Sequence, residues 1–164
     1  MKTLKMLVCV WWLFSVVGCL GGGPARNDSD VQRRLDKLVD NVKRREVARL
    51  EVLWIPADTL TRTRLTQEML ERQYYYKVTV REIRGGPLEQ GLINVLGSLT
   101  VEPVYEAPDL RRGVLFFDAN GSRLGAIYVD RAGSRGVVDT VAVSLNGGFS
   151  SWIANTFEVC PRGG

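Results

Sequence analysis

Histidine is missing from the whole 164-residue chain. Its absence removes the commonest general base and the commonest metal ligand together, and it excludes Ser-His and Cys-His nucleophilic pairs outright. Cysteine is scarce. Cys9, Cys19 and Cys160 are too few and too widely spaced for a zinc knuckle or a disulfide framework. A strong excess of one charge is also lacking: Lys and Arg number 22 against 18 Asp and Glu, and discounting Lys2 and Lys5 at the extreme N-terminus leaves 20 against 18. Basic residues are scattered among acidic ones rather than gathered with aromatics, so nucleic acid is not expected as a partner. Neither Gly85-Gly86 nor Gly147-Gly148 carries the flanking pattern of a phosphate loop, and no cofactor is expected. Asp118-Ala119-Asn120-Gly121 opens like a calcium loop, but Val129 stands where the loop needs a bidentate Glu, so no metal site is assigned.

What the chain does have begins at its N-terminus. Lys2 and Lys5 form a short positive start, Met6 to Val17 is uninterruptedly apolar, and Gly18-Cys19-Leu20-Gly21-Gly22-Gly23 is a small-residue stretch. This layout predicts a secretory signal. Within it, Val16-Val17-Gly18-Cys19 resembles the lipobox of bacterial lipoproteins, a resemblance confined to this segment. It implies cleavage between Gly18 and Cys19, a diacylated Cys19 sulfur and usually an acylated new amine. Several acyl chains make a firm bilayer anchor, since each buried methylene contributes ~0.8 kcal/mol. The expected division is then a signal peptide over 1–18, a flexible Gly/Pro tether over 19–28, a domain over 29–160 and a tail over 161–164. The resemblance places the protein in the cell envelope, and Leu20, where inner-membrane retention uses Asp, is compatible with an outer-membrane lipoprotein. Two other readings share export: an ordinary signal cut after Gly21, giving a secreted protein, and an uncleaved anchor, because 20 uncharged residues separate Lys5 from Arg26. Acylation of Cys19 would leave Cys160 without a partner, whereas an unmodified Cys19 leaves a Cys19–Cys160 disulfide open.

Length and a 45% hydrophobic composition predict a single core. Ser29 and Gln32 have capping-box spacing, and Val31, Leu35, Leu38, Val39 and Val42 follow at helical intervals, so a helix is expected over about 30–45. Leu50, Val52 and Trp54 then alternate with polar residues as a strand that Pro56 stops. Thr66 can cap a short helix through Glu71. A second strand is expected from Tyr74 to Arg81, with Tyr74 and Tyr76 on one face, Tyr75 on the other, and core or rim packing for all three. Pro87 opens a helix striped by Leu88, Leu92, Leu96 and Leu99, and 101–112 reads as an ordered loop. Strands are expected over 113–118, 124–129 and 137–145, joined by turns at Asn120-Gly121 and Asp130 to Gly133. Phe149, Trp152, Ile153 and Phe157 predict a closing helix. The sum is one α+β domain, an antiparallel sheet of about five strands with two or three helices packed on it.

Asp118 and Asp130 each begin the pattern Asp-x-x-Gly-Ser-Arg, twelve residues apart. Two similar turns account for it, with Asp accepting turn amides and Gly at positive φ. Arg111, Arg112, Arg123, Arg131 and Arg135 lie around these strands as a candidate binding patch for an acidic protein or an anionic envelope polymer. The expected function is a non-enzymatic binding or inhibitory module on the membrane. The alternatives are an immunity-type protein that neutralises a toxin, and a cell-surface polymer hydrolase using two of Asp118, Asp130, Asp139 and Glu158.

Overall fold

The computed structural model describes residues 28–157, and the lipobox, all three cysteines and Glu158 lie outside them. In chain order the elements are α1 (Asp28–Lys43), β1 (Arg49–Trp54), α2 (Gln67–Gln73), β2 (Tyr76–Val80), α3 (Pro87–Gly97), β3 (Thr100–Pro103), β4 (Leu110–Phe117), β5 (Arg123–Asp130), β6 (Arg135–Val138), β7 (Val141–Asn146) and α4 (Phe149–Phe157). All seven strands form one antiparallel sheet of order β2-β1-β4-β5-β6-β7-β3. The class is therefore the expected α+β single domain, with seven strands in place of about five.

Strand alternation divides the core in two. Leu50, Val52, Val114, Phe116, Ile127, Val129, Val143 and Leu145 meet the apolar stripes of α1, α3 and α4. The stripe of α1 is the expected Val31, Leu35, Leu38, Val39 and Val42, all buried. In α4, Trp152 stacks on Phe149 at 6.0 Å and meets Phe157 edge-on at 5.3 Å. On the other side, Leu53, Leu115, Ala126, Tyr128 and Val137 form a smaller core with Leu65 and with Leu70 of the short helix α2.

Three elements differ from the sequence reading. The expected strand over 137–145 is two strands, β6 and β7, folded back at Asp139-Thr140 with Val138 opposite Val141. Asp139 takes φ 53° there, a conformation open to Asp that no Gly or Asn advertises. The expected loop over 101–112 contains β3 and the start of β4. Proline is tolerated in β3 because among the described residues it is an edge strand, bound to β7 alone. Finally, β2 starts at Tyr76, and Tyr74, Tyr75 and Tyr76 are all exposed. Tyr76 packs as a rim residue, stacked on Trp54 at 5.1 Å, and Lys77 lies over the Tyr74 ring at 5.9 Å.

Candidate functional site

The two Asp-x-x-Gly-Ser-Arg segments fold alike. Asp118 Oδ1 accepts the amides of Asn120 and Ser122 at 2.9 and 2.7 Å, with Gly121 at φ 83°. Asp130 Oδ1 accepts those of Gly133, Ser134 and Arg135, with Gly133 at φ 75°. Each turn then delivers its arginine to an acid distant in sequence. Arg123 reaches Glu71 of α2 at 3.1 Å, and Arg135 reaches Glu106 at 2.8 Å.

The five sequence-predicted arginines do not form one patch. Arg111, Arg112, Arg131 and Arg135 gather at the end of the sheet where Leu110 meets Asp130, whereas Arg123 stands opposite Phe117 at the far end. Eight residues of β5 separate the two ends, roughly 24 Å. Arg111 is 7% exposed and binds Asp109 at 2.6 Å, the Thr59 carbonyl at 3.0 Å and Thr61 Oγ1 at 3.2 Å. Arg112 is half-buried opposite Trp54 on the β1–β4 ladder, and Arg131 is exposed in the β5–β6 turn. Arg111, Arg123 and Arg135 thus direct charge at acids of the chain itself.

Two shallow clefts flank this framework. One, of about 600 Å³, runs between α2 and the β6–β7 turn and is lined by Gln67, Glu68, Glu71, Arg72, Arg123 and Asp139 among others. Its polar groups are engaged with one another. Tyr128, buried under α2, donates its hydroxyl to Glu71 and accepts from Arg123. Burial, and then the bond to Glu71, raise its phenol well above the ordinary value. Asp139 accepts from the Ala126 amide at 3.0 Å through its side chain and from Gln67 through its carbonyl. The other cleft, of about 350 Å³, lies in the β1–α2 loop, with Thr59, Leu60, Arg62, Arg64, Arg111 and Arg131 among its lining residues.

The carboxylates weighed as a hydrolytic pair are not brought together as a set. Asp118 and Asp130 flank the two ends of β5, each occupied by turn amides, and Asp139 tethers its own hairpin. The residues that sequence reasoning missed are Glu71, Glu106, Asp109 and Tyr128. It also missed the outer edge of β2. Ile55 N–H donates to the Arg111 carbonyl at 2.9 Å, so the odd residues of β1 bond to β4 and the even ones to β2. By the same alternation Lys77 and Thr79 turn their backbone N–H and C=O groups outward, where no strand of the described residues pairs with them. Tyr75, 64% exposed, stands at the head of this edge.

No family model, curated protein or solved structure matches the chain.

Proposed function

We propose that the chain is an exported lipoprotein, held in the cell envelope through acylated Cys19, and that its domain is a non-enzymatic module that binds a protein along the open edge of β2. The observation that carries the binding reading is that edge. Among the described residues nothing pairs with its outward backbone groups at Lys77 and Thr79, which lie beside the exposed Tyr74, Tyr75 and Tyr76. Exposed edges are usually blunted, because they template pairing with another chain. Here the opposite edge carries Pro103, and β2 carries no proline. Strand addition supplies affinity through main-chain bonds, and tyrosines supply rigid contact area at low entropic cost.

A photo-crosslinking residue at position 75, in the full chain in its native envelope, is expected to give one discrete protein adduct. Thr79→Pro should abolish that adduct, because it removes an outward N–H while leaving the β1–β2 ladder intact. Equal adducts from a probe at position 120, on the far hairpin, would sink the reading. The anchor is tested separately by the mass of the mature N-terminus and by Cys19→Ser, which is expected to stop cleavage at Gly18-Cys19 and acylation. A variant cut at the same bond and still membrane-held would overturn the lipoprotein assignment.

A further inference from the structure

The β1–α2 loop is unusual in being held rigid while presenting an apolar tip to water. Arg111 grips it from beneath through the Thr59 carbonyl and Thr61 Oγ1. Asp109, which binds Arg111, also accepts the Leu65 amide at 2.7 Å. From the side, Arg64 binds Glu106 at 2.7 Å and the Ala107 carbonyl at 3.1 Å, tying the loop to the β3–β4 connection. Glu106 is held a second time by Arg135. A loop fixed at this many points has its shape set before any ligand arrives.

On this platform sit the two most exposed large apolar side chains of the described residues. Leu60 is 98% exposed on one loop, and Tyr105 is fully exposed on the other. The cleft below Leu60 is lined by four arginines against Asp58 and Asp109. Asp109 is committed to Arg111, and among the described residues neither Arg62 nor Arg131 has an acidic partner. An apolar tip flanked by these two guanidinium groups, against Asp58 as the one uncommitted acid of the cleft, is the chemistry of an anionic interface. Guanidinium pairs bidentately with phosphate, and a leucine and a tyrosine gain by leaving water at the boundary between headgroups and acyl chains.

We propose that this end of the domain docks on an anionic phospholipid surface, with Arg62 and Arg131 on headgroup phosphates and Leu60 and Tyr105 beneath them. The inference deepens the membrane-anchored reading and rests on it only for proximity. From Cys19 to Asp28 the chain reaches at most ~30 Å, so an acylated Cys19 would keep the loops near a bilayer without orienting them. A second, electrostatic contact would set the orientation. It would place this end of the sheet against the membrane.

The test is amide hydrogen exchange on the full chain in nanodiscs of phosphatidylcholine alone or with phosphatidylglycerol. Amides of 57–65 and 104–109 are expected to exchange at least about tenfold more slowly in the anionic discs. In the Arg62→Gln/Arg131→Gln chain they should return to the rates seen in neutral discs, and both side chains are exposed enough to change without unfolding the domain. Equal rates in the two lipids, or slowing that survives the double substitution, would overturn the proposal. The mass of the N-terminus separates the two readings. An unacylated chain that still slows at these loops with added anionic vesicles retains the contact and sinks only the lipoprotein. An acylated chain without slowing does the reverse.

Discussion

Tyr128 shows how one buried side chain joins the layers of this domain. Its ring lies over Gly113, where an added Cβ would come within 2.7 Å of it, and its hydroxyl ends between Glu71 and Arg123. The phenol is raised by burial and by the bond to Glu71, so the folded state holds the proton to higher pH than the unfolded chain does. The stability linked to this proton is complete below the ordinary tyrosine value of 10.0 and is lost as pH rises beyond it. Tyr128→Phe keeps the ring and removes only the hydroxyl. It is expected to cost about 1 kcal/mol near neutral pH and to flatten the decline between pH 9 and pH 11, give or take about half a unit. Urea titrations of both chains at the two pH values measure this. Parallel alkaline losses would show that the phenol is not the group responsible.

At the scale of elements, the β5–β6 ladder depends on close approach. A Cβ on Gly136 would fall 2.0 Å from the Tyr128 carbonyl, a backbone atom fixed by the ladder on either side. Gly136→Ala is therefore expected to destabilise the fold by more than ~3 kcal/mol, read as a large drop in thermal midpoint. A near-silent Gly136→Ala would mean that β6 can shift. Legibility in the sequence follows the same local logic. Helices α1, α3 and α4 were readable because each carries one apolar stripe, and both Asp-x-x-Gly-Ser-Arg turns were readable because Asp, Gly and the amides they serve lie within five residues. The β6–β7 hairpin was hidden by a positive-φ Asp followed by Thr in a run otherwise suited to a strand. The β3 strand was hidden by its own proline. Four of the five candidate arginines do converge at one sheet end, and Asp109 lies only two residues from Arg111, but the acids met by Arg135 and Arg123 were not predictable from local pattern. Glu106 lies 29 residues from Arg135, and Glu71 lies 52 from Arg123.

Taken as a whole, the molecule has two layers of unequal character on its sheet. Three helices seal the larger core mainly through apolar contact, with Arg34–Asp139 and Arg45–Glu89 pairs at its margin, whereas α2 and the β1–α2 loop cover a smaller core and are fastened by the buried Arg111 and by the exposed pairs of Arg123 and Arg64. Apolar burial is indifferent to moderate salt, but exposed ion pairs are screened, with a Debye length near ~3 Å at 1 M. Acid acts on the same fasteners. Hydrogen bonds from Arg135 and then Arg64 hold the Glu106 carboxyl below its ordinary 4.5, so its contribution is present above that value and fades as pH falls through the lowered one. The domain is therefore expected to open in two stages. Amides of 57–73 and 104–109 should exchange faster in 1 M salt or near pH 3.5, while those of α1 and of the last two turns of α3, beyond Glu89, keep their rates, a difference of roughly tenfold or less for the exposed pairs. Uniform acceleration across both layers would mean that the sheet and its two covers unfold as one cooperative unit, with the arginine pairs contributing nothing separable.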